Sequence, residues 1–248
     1  MPKPPLRWLQ HLAGDPAWNM AVDEALLLHA AEPVLRTYRW QPHAVSLGYF
    51  QRVADFADLP TDTILVRRLT GGGAIHHGEE LTFSLALDAA LLPREILASY
   101  DLLHDAVLAA LPARSAPAWR LQAGHGQTAR PSERWCFATP GRGDLVTAAG
   151  KLLGSAQRRI QQPRARVLHH GSLVLERPAL TPFVAALADG ADGGANLDAN
   201  ELAARVAVAI AAALGLPLVP GELRPEEAAA AAELRRQRYA NPDFTAMR

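Results

Sequence analysis

The chain has 248 residues, 49% of them apolar, enough for one large domain with a substantial core. Twenty-five basic residues balance twenty-five acidic ones, so no net field draws it to nucleic acid or to an anionic membrane, and anion binding falls to local arginine clusters. No apolar run reaches bilayer length, the first residues lack the apolar core of a secretory signal, and the single cysteine, Cys136, excludes an intrachain disulfide and a cysteine-only zinc site; a cytoplasmic location is expected.

Asp15-Pro16 reads as an N-cap followed by proline at the first helical position, and Trp18, Val22, Ala25, Leu26 and His29 recur at helical spacing, which predicts a first helix to about residue 31. Residues 34–40 and 44–49 read as two strands in a hairpin-like arrangement around Gln41-Pro42-His43. Then comes Arg67-Arg68-Leu69-Thr70-Gly71-Gly72-Gly73-Ala74-Ile75-His76-His77, set between a β-rich run at 63–69 and a run at 81–87 that alternates at period two. Each glycine loses much backbone freedom on folding and adds nothing to a core, but it lets bare N–H groups approach a carbonyl or phosphate. A turn between two strands with that composition predicts a ligand loop. It is neither a Walker loop nor a dinucleotide fingerprint: the glycines lead to Ala-Ile-His-His and a strand, and Gly124-His125-Gly126 has no third glycine in register.

Residues 94–111 form an amphipathic pattern (Ile96, Tyr100, Leu103, Val107, Leu111) stopped by Pro112. Residues 112–134, rich in Pro, Gly, Ser and Arg, read as a long mobile loop of the kind that serves as a lid. Residues 144–148 and 152–160 pair as a hairpin around Ala149-Gly150-Lys151, and 166–175 is a strand interrupted at His169-His170-Gly171. The alanine-rich stretches 182–188, 199–214 and 225–239 read as helices, with a flexible connector at 190–194.

Two side chains stand out chemically. Cys136, beside Trp135 and Phe137, is either a small buried hydrophobe or, with Arg134 and Arg142 near, a thiolate nucleophile. Lys151 is either a solvated turn residue or an ammonium beside the open wall of Gly154, Ser155 and Ala156, able to fix an acyl carbonyl or, with a lowered pKa, to accept a proton. The pairs His76-His77 and His169-His170 each offer at most one ligand to a shared site, because strand neighbours point to opposite faces; no metal is expected.

In order, Asn19-Met20-Ala21-Val22-Asp23-Glu24-Ala25-Leu26, the Arg67–His77 stretch, Gly150-Lys151-Leu152-Leu153-Gly154-Ser155-Ala156-Gln157-Arg158-Arg159, His169-His170-Gly171-Ser172-Leu173 and the terminal Tyr239-Ala240-Asn241-Pro242-Asp243-Phe244 resemble the lipoate-protein ligase and octanoyltransferase superfamily, which shares its catalytic fold with biotin-protein ligases. The resemblance implies an α/β (α+β) domain spanning residues 1–248, with a mixed, largely antiparallel sheet flanked by helices and no separate C-terminal accessory domain. It implies an acyl pocket bordered by Arg68, Gly71, Gly72, Gly73 and His77, by Gly154, Ser155 and Ala156, and by His170 and Gly171. Gly78 stands where many members carry aspartate.

The resemblance is nearest to the cysteine-dependent octanoyltransferases, on Cys136-Phe137 and Glu80-Leu81-Thr82-Phe83-Ser84. It implies Cys136 as nucleophile and Lys151 as its partner, octanoyl-acyl carrier protein as donor with no cofactor required, and a lysine of a 2-oxoacid dehydrogenase lipoyl domain or glycine-cleavage H protein as acceptor. A thioester donor is already activated, so exchange onto a thiolate needs no ATP, and the acyl-enzyme can be attacked by an amine. The alternatives are an ATP- and Mg-dependent lipoate-protein ligase catalytic subunit and an octanoyl or lipoyl amidotransferase between carrier proteins.

Overall fold

The computed structural model describes residues 3–112, 118–120, 134–190 and 198–248. An eight-stranded sheet runs in the order β11 (Leu218–Pro220), β1 (Leu6–Gly14), β2 (Val34–Trp40), β6 (Glu80–Asp88), β10 (Arg166–Val174), β9 (Gly150–Ile160), β8 (Leu145–Thr147), β7 (Trp119–Arg120). β1 pairs in parallel with β11 and β2, and the other pairs are antiparallel. A second, three-stranded sheet has β3 (Ala44–Leu47) between β4 (Leu65–Arg67) and β5 (Ile75–His77).

Both faces of the large sheet are covered, which is why its central strands are buried along their whole length. Leu81, Phe83, Leu85 and Leu87 of β6 pack with α2 (Ile96–Ala110) and α3 (Ala199–Leu214) in one apolar core. On the other face, Ala86 and Leu168 pack with α1 (Pro16–His29) and Ala231 of α4 (Pro225–Leu234). The period-two alternation of residues 81–87 therefore has a structural meaning: the large apolar half faces α2 and α3, and the small polar half, Thr82 and Ser84, faces α1.

Asp15 caps α1 through Trp18 N at 3.0 Å with Pro16 in the first turn. The Asn19 and Asp23 motif positions fasten that helix to the sheet: the buried Arg36 guanidinium donates to Asn19 Oδ1 at 2.5 Å and Asp23 Oδ1 at 3.0 Å, and Tyr38 and Ser84 donate to Asp23 at 2.9 and 2.6 Å. Burial pushes the Asp23 pKa up, but the neighbouring His170, the Arg36 charge and the Ser84 hydroxyl outweigh it and leave the carboxyl below its ordinary range.

Several expectations need correction. Residues 34–40 and 44–47 are not a hairpin, because the chain leaves the large sheet after Trp40 and β3 starts the small one. The glycine loop does not close a hairpin either, since it joins β4 to β5 on opposite sides of β3. β10 runs unbroken through His169-His170-Gly171. Residues 182–186 are not helical: Ala185 N donates to Lys151 O at 3.0 Å, and this tertiary bond overrides alanine's helix preference, leaving a short 3₁₀ turn at Leu187–Asp189. Most of the predicted 112–134 loop, and the 191–194 part of the connector, lie outside the described residues.

Candidate active site

The glycine loop is built around Arg68. Its guanidinium is buried, and it donates to Thr70 Oγ1 at 3.1 Å, Ser46 O at 3.0 Å, Gly71 O at 2.8 Å and Gly73 O at 2.7 Å. All these acceptors are neutral, and burial lowers the Arg68 pKa to about 10. Gly72 requires its residue type, with φ at +94°. Its carbonyl lies where a Cβ on Gly48 would stand, 1.9 Å away, so Gly48 is needed as well.

The far end of this loop positions the cysteine. Ala74 N donates to Arg134 O at 2.8 Å and Cys136 N donates to Ala74 O at 2.9 Å, while Trp135 packs edge-on against Phe56. Cys136 is half-buried. Among the described residues, the amides of Gly72 and Gly73 make no hydrogen bond.

β9 brings in Lys151. The β8–β9 turn, with Gly150 at φ +135°, starts the strand, and the lysine side chain lies across Gly154, where a Cβ would meet Lys151 Cε at 2.3 Å and Nζ at 2.6 Å. Nζ sits 3.6 Å from Cys136 Sγ, 3.1 Å from Cys136 O and 2.8 Å from Asp144 Oδ2, and 4.9 Å from the Phe137 ring centroid. Desolvation of the buried ammonium works against its charge, but the Cys136 sulfur and the Asp144 carboxylate outweigh it and hold the Lys151 pKa above the ordinary lysine range. Lys151 is therefore held in its charged form in the resting site. Asp144, which also accepts from Gly141 N at 2.7 Å, carries no motif signal in the sequence.

Cys136 borders a narrow cavity of about 40 Å³. Arg68, Gly71, Gly72 and His77 line it, together with Cys136. Gly154, Ser155, Ala156, His170 and Gly171 form another wall. Lys151 touches Cys136 at the rim, and Gly73 enters only through its bond to Arg68. Nearly every predicted residue thus converges on one space. A larger open cleft beside Gln10, His11 and Arg39 contains none of the motif residues singled out for chemistry.

The floor of the cavity consists of Met20, Tyr38, Trp40, Ser46, Thr82 and Ser172, of which Met20, Thr82 and Ser172 lie in the quoted motifs without having been singled out as site residues. Its polar groups are engaged underneath. Glu80 accepts from His77 Nδ1 at 2.8 Å and from Thr82 and Ser172 hydroxyls at 2.5 Å each, and Trp40 Nε1 donates to Thr82 Oγ1 at 2.9 Å. The Trp40 and His77 rings stack at 3.7 Å. Burial pushes the Glu80 pKa up, yet the His77 charge and these bonds leave it below its ordinary value. With hydroxyls turned toward Glu80, polar residues present mainly carbon to the space above, a surface suited to an alkyl chain. His170 is held likewise: Thr70 Oγ1, already accepting from Arg68, donates to His170 Nε2 at 2.8 Å, and Nδ1 faces Asp23 at 3.8 Å.

The model of the lipoyl protein ligase A/B catalytic domain matches residues 15–209. The chain belongs to that family. An octanoyltransferase of Kyrpidia tusciae, LipM, is 31% identical over 255 residues, covering 89% of this chain and 91% of its own. The LipM octanoyltransferase of Moorella thermoacetica is 38% identical over 185 residues, or 71% of this chain and 67% of the relative. A solved structure of a T. acidophilum protein described as a lipoate protein ligase covers both chains fully with a TM-score of 0.79 at 21% identity, which shows the shared fold. The protein is an acyltransferase, an octanoyltransferase of protein lipoylation. No described helix is long and apolar enough to cross a membrane.

Proposed function

We propose that the octanoyl group is carried on Cys136 as a thioester, taken from octanoyl-acyl carrier protein and passed to a lysine amine of a lipoyl domain or glycine-cleavage H protein, with neither ATP nor a metal. The observation that carries this reading is Lys151 Nζ, 3.6 Å from the Cys136 sulfur and paired at 2.8 Å with Asp144, at the mouth of a carbon-lined cavity. An ammonium fixed there favours the thiolate, which attacks the donor carbonyl while the amides of Gly72 and Gly73 receive the developing oxyanion. The carrier sulfur leaves as a thiolate and is protonated from solvent, and the octanoyl chain widens the narrow cavity as it enters. In the second step the neutral acceptor amine attacks the thioester carbonyl, the C–S bond breaks with Lys151 again stabilising the departing thiolate, and the proton released from the amine nitrogen passes to solvent. Lys151 is thus the electrostatic partner of the sulfur in both steps. Arg68 shapes the loop, and the Glu80 network supports the floor.

The experiment is transfer from octanoyl-acyl carrier protein to an isolated lipoyl domain, without nucleotide, followed by mass analysis of the domain. Octanoylation at the lipoyl lysine is expected. Modification that requires ATP and free acid contradicts the reading.

A further inference from the structure

The loop at residues 48–52 is rigid and yet exposes an aromatic ring. Arg67, fully buried, donates to Gly48 O at 3.1 Å, Tyr49 O at 3.2 Å and Gln51 O at 2.7 Å, and Tyr49 N donates to Thr70 O at 2.8 Å. Arg67 also holds Thr245 O at 3.0 and 2.6 Å, which ties the C-terminal turn to the same loop. On this braced backbone Phe50 is 67% exposed. Its ring lies 3.8 Å from where a Cβ on Gly71 would stand, so it sits at the rim of the acyl cavity.

One cation stacks on that ring, and a second belongs to the same loop. The Arg248 guanidinium is 5.3 Å from the Phe50 centroid and 5.4 Å from that of Tyr49, and Val53 N donates to Arg248 O at 3.1 Å, which brings Arg52 and Arg248 to the same edge. Both arginines are exposed, and among the described residues neither forms an ion pair. A pre-ordered aromatic beside unmatched arginines has the composition of an interface anchor, and its charge selects an anionic partner.

We propose that this lip, Phe50 with Arg52 and Arg248, is the docking edge for the acyl carrier protein, an acidic carrier whose acyl thioester hangs from a phosphate-linked arm. The proposal rests on the carrier-dependent reading above. Docking at the rim delivers the thioester beside Gly71 and Gly72, on the side of the loop that leads to Cys136. Elsewhere Arg134 is paired with Asp58, and Arg159 and Arg166 donate to backbone carbonyls.

The test compares wild type with the double variant R52E/R248E in three single-turnover reactions read by intact mass. These are acylation by octanoyl-acyl carrier protein, acylation by octanoyl-pantetheine, and transfer from the isolated acyl-enzyme to a lipoyl domain. The substitutions leave every backbone bond of the lip in place. Acylation by the carrier should slow by about 10-fold or more and lose much of its salt dependence, while the other two reactions keep wild-type rates. An unchanged carrier reaction, an equal fall with octanoyl-pantetheine, or a fall confined to the transfer step, which assigns the lip to the acceptor, overturns the proposal. Wild type that takes no acyl group from either donor removes the transferase mechanism itself, and the docking edge with it.

Discussion

The mouth and the floor of the acyl cavity are both built from buried charges, but they close them differently. At the floor, Glu80 is saturated by His77, Thr82 and Ser172, and Asp23 by Arg36, Tyr38 and Ser84. These groups hold shape and turn carbon toward the ligand. At the mouth, Lys151 has one carboxylate, one carbonyl and a sulfur at 3.6 Å, so part of its field remains directed at a group that changes charge during the reaction. Charges closed on themselves make a wall, and a charge left facing a thiol makes a reactive centre.

The contrast is broken most completely by Cys136→Ser, which should abolish acyl-enzyme formation while leaving the fold and its melting temperature intact. Lys151→Ala should lower single-turnover acylation by about 100-fold or more, the scale of losing one preorganised electrostatic partner. Glu80→Ala tests the wall: His77, Thr82 and Ser172 lose a buried acceptor, and chemical denaturation should show a loss of about 3 kcal/mol or more. Asp144→Asn should act on rate and pH, and because it leaves the buried Lys151 ammonium without its carboxylate it should also lower stability. Removing the carboxylate deletes one of the interactions that raise the Lys151 pKa, so desolvation lowers it and the alkaline limb of the acylation profile moves to lower pH. An unmoved limb contradicts the assigned role of Asp144.

The last prediction concerns histidines. Burial lowers the pKa of His11 to about 4, with the Arg36 charge helping, and burial also lowers those of His104, His169 and His170. Such groups take up a proton near pH 6.5 only when the chain unfolds. Their contribution is therefore full above that pH and declines as pH falls toward the folded-state value, by up to about 1.4 kcal/mol per pH unit for His11. Denaturant midpoints measured between pH 7 and 4.5 check the sign.

The parts legible in the sequence are those whose residue type is dictated locally. The triple glycine signals a loop because only that composition permits Gly72 at φ +94°, and the alternation at 81–87 reports a strand with two different faces. Gly154 was legible as open space, and the structure shows that the space is filled by Lys151 itself. Asp144 was not legible, because its value comes from a turn that returns residue 151 beside it, and an isolated aspartate before a strand carries no signal. β1 was missed for a related reason: Leu6 and Leu9 face opposite cores, and Arg7 is buried through its pairing with Glu32 and Glu227, so the strand shows no clean alternation. Strand pairing was also beyond reach, since nothing in Gln41-Pro42-His43 reports that the next strand joins another sheet.

The most direct measurement is the intact mass of the pure protein after incubation with octanoyl-acyl carrier protein in the absence of ATP, before and after hydroxylamine, alongside Cys136→Ser. The account predicts one octanoyl adduct on the wild type, removed by hydroxylamine and missing from the variant. An unmodified wild type, or an adduct that survives hydroxylamine or persists in Cys136→Ser, contradicts it.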